Sequence, residues 1–159
     1  MAQAEWTRIF QNKVDDLDKE DSWRLQFDDH INPNSPNQGW KQYIRNTCGR
    51  FKCTKCGRGW SSVQVKVVFQ MRLIGGQGTV KVRPLRQNCK RCDEAPMEKP
   101  SITHDNINIL LKNLVEKIRI KCYHEDVGKR NRPFKWLDVS SPHEPAHCEA
   151  CTHGICTRR

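Results

Sequence analysis

The stretch CTKCGRGWSSVQVKVVFQMRLIGGQGTVKVRPLRQNCKRC, residues 53–92, decides the fold, because each of its ends carries a Cys-x-x-Cys pair. Between the pairs, residues 63–67 and 80–85 alternate between apolar and polar side chains, as strands do. The glycine-rich residues 75–78 predict the turn that joins the two strands. In such an antiparallel β-hairpin the start of the first strand lies beside the end of the second. The two cysteine pairs are therefore expected to meet.

Two thiolates separated by two residues form half of a tetrahedral zinc site. The two pairs thus predict one zinc-ribbon-like site, here called the four-cysteine centre: Cys53, Cys56, Cys89 and Cys92. A third pair, Cys148 and Cys151, lies near further nitrogen and sulfur ligands: His143, His147, His153 and Cys156. Together these ligands suffice for two structural zinc ions. Spacing alone does not choose among the last four, and it also allows Cys53 and Cys56 to share a metal with the third pair.

Disulfide, redox and catalytic explanations of the cysteines are weaker. The first 19 residues are rich in acidic side chains and contain no apolar signal segment, which predicts a cytoplasmic protein with reduced thiols. None of the pairs lies in the βαβ context of a thioredoxin-type motif. No pair follows a proline, as the cysteine pair of zinc deaminases does. We expect closed structural sites and no enzymatic activity.

The flanking segments predict two helices and a short strand. Apolar residues at helical spacing in residues 6–17 indicate an amphipathic N-terminal helix, and residues 23–27 alternate like a strand. Residues 32–38 read as a loop, whereas residues 39–43 show no clear period. A stripe of apolar residues predicts a helix at 105–121 that docks on the hairpin; its members are Ile107, Leu110, Leu111, Leu114, Val115 and Ile118.

These patterns predict one α+β domain, residues 1–159, with a helix and strand in residues 1–38 and a zinc-binding core in residues 39–156. Its centre would be the hairpin of an antiparallel sheet, with the second helix packed on it. Only 36% of the residues are hydrophobic, so the core is expected to be thin. Zinc would then supply part of the folding free energy, and the metal-free chain is expected to be partly unfolded.

The formal net charge of +10 is concentrated in residues 41–100, which contain 14 basic and 3 acidic side chains. Six basic residues surround the first two cysteine pairs, and the hairpin would gather them on one surface: Lys52, Lys55, Arg58, Arg86, Lys90 and Arg91. Trp60 and Phe51 would offer stacking faces there, which makes an RNA-binding surface a second hypothesis. The ordinary alternative is that the charges serve solubility and that the two aromatic residues pack the metal site.

Several motifs together resemble the receptor-transporting protein family and its three-CxxC zinc finger: GWKQY (39–43), FKCTKCGRGWSS (51–62), NCKRC (88–92), ILLKNLV (109–115) and CEACTHGIC (148–156). The resemblance covers nearly the whole chain and is greatest to the shorter interferon-induced or taste-receptor-type members. It implies that His143 accompanies the third pair, while Cys156 resembles a cysteine of some members only. The second zinc site implied in this way is His143, Cys148, Cys151 and Cys156.

The resemblance implies an accessory chaperone that brings G-protein-coupled receptors of odorant, taste or opioid type to the plasma membrane. Its contact surface would come from Trp6, Trp23, Trp40 or the helix stripe, although each tryptophan has an equally good explanation as a core residue. The resemblance also implies an alternative, an RNA-binding protein of antiviral innate immunity with innate-immune signalling proteins as partners. Relatives commonly carry a hydrophobic C-terminal membrane anchor, and residues 1–159 contain no apolar run of that length, so we expect either a soluble member or a truncated one. We therefore expect a cytoplasmic protein or one on the cytosolic face of membranes.

Overall fold

The computed structural model describes residues 3–17, 20–34, 36, 38–124 and 147–149. Within these residues two helices and six strands follow one another, with a short 3-10 helix, Asp15–Leu17, after the first helix. Their bounds are α1 Gln3–Val14, β1 Ser22–Phe27, β2 Lys41–Lys52, β3 Gly59–Ile74, β4 Gln77–Pro84, β5 Gln87–Asn88, β6 Met97–Glu98 and α2 His104–Tyr123. The sequence of residues 125–133 predicts a polar loop with a short apolar segment after it, and both lie outside the described residues.

The main sheet has four strands in the order β1-β4-β3-β2. Strand β3 pairs antiparallel with β4, as expected, and also with β2, whereas β1 runs parallel to β4 and makes the sheet mixed. Strands β5 and β6 form a separate two-stranded ribbon. The predicted α+β architecture with a central hairpin, an N-terminal helix and a helix on the sheet is confirmed.

Strand β2 is the element that sequence periodicity missed. Most of its first half is half buried on both faces of the strand, so apolar and polar residues do not alternate there. The pairing with β3 also shifts register between Thr47 and Gly49, which interrupts the period of two. The segment that starts at residue 39 therefore leads into a 12-residue edge strand instead of an irregular loop.

The β3–β4 turn is shorter than predicted. Gly75 and Gly76 both have positive φ angles, 56° and 78°, which is the requirement of a two-residue hairpin turn. Gly78 belongs to β4 and faces Trp23 across the parallel β1–β4 pair. A Cβ atom at Gly78 would lie 2.2 Å from the nearest atom of the Trp23 ring. Gly78 is thus required by close packing and not by the turn.

Both helices pack on one face of the sheet and form the main core. Thr103 caps α2 by accepting a hydrogen bond from the backbone N–H of Asn106, and the helix ends two residues beyond the predicted limit. The apolar stripe of α2 is buried against the sheet, as predicted. Trp6 and Trp23 are buried in the same core, so the hypothesis that they form a receptor-contact surface is wrong. Their burial follows from their positions on the inward faces of α1 and β1.

The opposite face of the sheet carries a much smaller cluster of buried residues: Ile31, Val68, Leu85 and Cys148. Polar contacts cover part of this face, where Gln70 Nε2 donates to the Asn32 carbonyl at 3.0 Å. The two faces of the sheet are therefore held by different means. Apolar packing dominates beneath the helices, and hydrogen bonds contribute more on the other side.

Candidate metal centre

The first cysteine pair lies in the turn between β2 and β3, here called the first knuckle, residues 53–58. The Cys53 N–H donates to the Arg58 carbonyl and the Gly57 N–H to the Cys53 carbonyl, both at 2.8 Å. The Cys56 N–H points at the Cys53 sulfur at 3.4 Å. Gly57 has a φ of 80°, a conformation that costs glycine little. This tight turn directs both sulfur atoms to the same side.

The second cysteine pair lies between β5 and β6, in the second knuckle, residues 89–92. The first knuckle contacts the residues that follow the second knuckle in the sequence, and these contacts hold the two knuckles together. The backbone N–H and the hydroxyl of Thr54 both donate to Glu98 Oε2 at 2.8 Å. The Lys55 ammonium donates to the Asp93 carbonyl at 2.5 Å.

The four sulfur atoms of the four-cysteine centre lie within 4.8 Å of one another. Cys53 Sγ is 3.8 Å from Cys92 Sγ, and Cys56 Sγ is 3.8 Å from Cys89 Sγ. A tetrahedral zinc ion with Zn–S bonds of about 2.3 Å separates its sulfur ligands by about 3.8 Å. The donor set and its spacing therefore fit zinc, which would cross-link the two knuckles.

The surroundings of the sulfur atoms favour a bound cation. The Arg58 guanidinium, which donates to Cys89 Sγ at 3.4 Å, lowers the pKa of that thiol to about 6. Hydrogen bonding to the neighbouring Cys56 and burial raise the pKa of the Cys92 thiol to about 12. Four thiolates so close together repel one another unless a divalent cation balances their charge. Among the described cysteines, none forms a disulfide.

The β3–β4 hairpin brings the knuckles together, as predicted. From the unequal lengths of its two arms, residues 57–62 read as surplus chain around the first knuckle, but residues 59–62 pair with β2. Beyond β4, the Leu85 N–H donates to the Lys66 carbonyl at 2.9 Å and carries the chain along β3 toward the first knuckle. The structure thus joins the first pair with the second. The alternative, in which Cys53 and Cys56 share a metal with the third pair, is not found among the described residues.

Cys148 is the first cysteine of the third pair, and its backbone forms an isolated antiparallel β-bridge with Gln87 at the start of β5. Its side chain is buried beside Val68 and Leu85, and the preceding His147 contacts Asn88 Oδ1 through Nδ1 at 2.7 Å. The other predicted ligands of the second site lie outside the described residues: His143, Cys151 and Cys156.

Sequence reasoning missed Glu149, which forms ion pairs with Arg83 and Arg86 near the start of β5. Its carboxylate accepts hydrogen bonds from the side chains of Arg83 and Arg86, both at 2.7 Å, and from the Arg86 backbone N–H at 2.7 Å. Burial would raise the pKa of Glu149, but the bonds from Arg86 and the charge of Arg83 outweigh it, so that the pKa is lowered. No periodicity or spacing rule identifies this contact, because its partners are 63 residues apart or more.

The basic surface predicted around the knuckles is partly used inside the molecule. Arg86 pairs with Glu149, and Arg58 contacts both Cys89 and the Trp60 ring. Phe51 is 4% exposed and stacks on Trp60 at 5.3 Å. These contacts agree with the ordinary explanation of packing, and they leave less free charge and aromatic surface than the sequence suggested.

Comparison with known proteins places these features in a family. A family model described as a zinc-binding domain, a zinc ribbon of the three-CxxC type, matches residues 46–154. Receptor-transporting protein 3 of Mus musculus is 36% identical over 158 residues, which cover 97% of this chain and 33% of that protein. Receptor-transporting protein 2 of Mus musculus is 35% identical over 155 residues, with 96% and 70% coverage. For receptor-transporting protein 4 of Homo sapiens the identity is 34%, with 95% and 63% coverage.

The chain thus spans between a third and seven tenths of the length of these three relatives. No solved structure matches the chain significantly. Within the described residues, neither helix is long and apolar enough to cross a membrane.

Proposed function

This chain belongs to the receptor-transporting protein family, and from that membership we propose that it is a zinc-binding accessory protein that promotes delivery of seven-helix receptors to the cell surface. One observation carries the proposal: 155 residues align with receptor-transporting protein 2 of Mus musculus and cover 96% of this chain and 70% of the relative. The chain therefore corresponds to most of a protein that is named for receptor transport. Reduced thiols at the four-cysteine centre suit the cytosolic side of the membrane.

The zinc complement proposed for this function is two ions. The four-cysteine centre would hold the first, and His143, Cys148, Cys151 and Cys156 would hold the second. The β-bridge between Cys148 and Gln87 supports this assignment, because it brings Cys148 to the end of the sheet where the second knuckle begins. Mass spectrometry of the native chain should detect two zinc ions, and one ion in the Cys151→Ser variant. A single ion in the unaltered chain would contradict the second site.

Trp40 is the remaining candidate for receptor contact among the three tryptophans considered. It is half buried, and its ring lies below two cations, with Arg72 Cζ at 4.5 Å and Lys81 Nζ at 5.0 Å from the ring centroid. An aromatic ring beside two cations on the less covered face of the sheet is suited to contact a segment of another protein.

The test is surface labelling of an epitope-tagged odorant, taste or opioid receptor in cells with and without this chain. The unaltered chain should raise the surface fraction, and the Cys53→Ser, Cys56→Ser double variant should abolish the increase. Trp40→Ala should reduce it without loss of zinc. Ile74→Ala is the matched control, because Ile74 is an exposed apolar residue at the end of β3, beside the β3–β4 turn.

The outcomes separate the parts of the proposal. If no receptor of the panel responds to the unaltered chain, the function is wrong. If Trp40→Ala behaves like Ile74→Ala, only the contact surface is wrong. RNA binding is not proposed, because Arg58, Arg86 and Phe51 of the predicted surface are engaged in internal contacts.

A further inference from the structure

We propose that Arg58 is a positioning residue of the four-cysteine centre, which holds the Cys89 sulfur in place and offsets the negative charge of the zinc-bound thiolates. This inference concerns metal retention and does not depend on the proposed role in receptor delivery. It rests on the geometry of Arg58, on the support behind its side chain and on the charge of the centre.

Arg58 connects the two knuckles. Its backbone carbonyl accepts the Cys53 N–H at 2.8 Å, which fixes the residue at the end of the first knuckle. Its side chain reaches the second knuckle, where Nε donates to Cys89 Sγ at 3.4 Å. One residue therefore touches both halves of the centre, independently of the metal.

The Arg58 guanidinium packs against the Trp60 ring. Its Cζ atom lies 4.7 Å from the centroid of the Trp60 ring, a cation–π distance. Trp60 stacks on Phe51 and donates from Nε1 to Gln87 Oε1 at 2.9 Å. Because Gln87 precedes Cys89 by only two residues, this contact returns to the second knuckle. The planar guanidinium is therefore supported in one orientation.

The hydrogen bond from Arg58 to Cys89 is stabilising because the zinc-loaded centre is negatively charged. One Zn²⁺ with four thiolates carries a net charge of −2, which a nearby cation stabilises. Two other cations near the knuckles are directed elsewhere: Lys55 donates to the Asp93 carbonyl and Arg86 pairs with Glu149. The Arg58 hydrogen bond also draws electron density from the Cys89 sulfur, which makes that ligand less reactive toward protons and alkylating agents.

The test compares zinc retention in three variants of the full zinc-loaded chain. Competition with a chromogenic chelator should show that Arg58→Gln weakens zinc binding about 10–100-fold, the usual effect of losing a partner of a metal ligand. Arg58→Lys keeps the charge but not the directed Nε–H bond and should retain part of the affinity. Lys52→Gln is the matched control, because Lys52 is exposed and directly precedes Cys53, so the variant removes the same charge beside the same knuckle. It should change the affinity by no more than about 2-fold.

A spectroscopic measurement separates a direct effect on the sulfur from a loss of packing around Trp60. In the chain loaded with Co²⁺, the thiolate-to-metal charge-transfer band should move to longer wavelength in Arg58→Gln, because a sulfur without its hydrogen bond gives up electrons more easily. Trp60→Phe keeps a ring for stacking and should leave the band almost unchanged. Equal zinc affinities and equal bands in Arg58→Gln and Lys52→Gln would overturn the proposal.

Discussion

The half of the sheet beneath the helices and the end that carries the knuckles are stabilised by different forces. Beneath α1 and α2, one continuous cluster of buried apolar side chains includes residues from both helices and from all four strands of the main sheet, with Phe51 as its member nearest the knuckles. At the knuckle end, sulfur atoms, a stacked pair of aromatic rings and the Glu149 ion pairs replace most of that apolar contact. The comparison indicates that zinc stabilises the knuckle end and that the helix-covered half of the sheet does not depend on it. The predicted thin core describes the knuckle end and not the helix-covered half.

Removal of zinc should have the largest effect and should separate the two regions. Structural zinc contributes on the order of 10 kcal/mol of apparent binding free energy in small zinc domains. After chelation, amide hydrogen exchange should become fast in residues 53–58 and 87–98, while Phe69 in β3 and Leu114 in α2 stay protected. Exchange of the zinc-loaded chain is the control. Simultaneous loss of protection in both regions would mean that the core also depends on the metal.

A cavity in the helix-covered core should lower the stability of the fold without changing its zinc content. Leu114 is fully buried, so Leu114→Ala should lower the free energy of unfolding by about 2–5 kcal/mol. Denaturant unfolding measures this loss, and native mass spectrometry should find the same zinc content as in the unaltered chain. Leu73→Ala, at a partly buried position, should cost less. A folded Leu114→Ala chain without zinc would contradict the separation of the two regions.

A methyl group at Gly78 should destabilise the same core by overpacking. The new Cβ would meet the Trp23 ring at 2.2 Å, so Gly78→Ala should cost about 1–3 kcal/mol. Gly59→Ala in β3 is the control, because its nearest neighbour is the Phe51 carbonyl at an ordinary 3.6 Å. Thermal unfolding of both variants measures the difference. Equal melting temperatures would show that the Trp23 ring moves aside without cost.

The smallest effect is expected for Glu149→Gln, which removes a charge at the knuckle end. Charge-assisted hydrogen bonds contribute about 1–2 kcal/mol when one partner is partly exposed, as Arg86 is. Because the pKa of Glu149 is lowered in the fold, this stability is present above the ordinary carboxyl range and disappears as the pH falls through the lowered value.

Unfolding of the unaltered chain and of Glu149→Gln should therefore differ at neutral pH and converge in acid. Glu94→Gln, at an exposed position, serves as the control and should match the unaltered chain at every pH. A difference that stays constant down to the lowest pH would mean that the Glu149 charge does not stabilise the fold.

Much of the fold follows from local patterns. The stripe of α2, the alternation in β1 and the β3–β4 hairpin are periodic because each element buries one face of itself. The meeting of the first two cysteine pairs was also predictable, because the β3–β4 hairpin returns the chain along β3 toward the first knuckle. Strand β2 was not predictable by period, since both of its faces are half buried and its pairing contains a register shift.

The amino-acid sequence by itself determined the cysteine pairs, the two helices and the hairpin, because ligand spacing and periodicity are properties of neighbouring residues. Only the tertiary structure decided that Trp6 and Trp23 are buried, that Arg58 reaches Cys89 and that Glu149 pairs with Arg86. These contacts join residues that are 31 and 63 positions apart. No local preference encodes them, because their free energy depends on how the sheet and the knuckles bring distant charges, rings and sulfur atoms together.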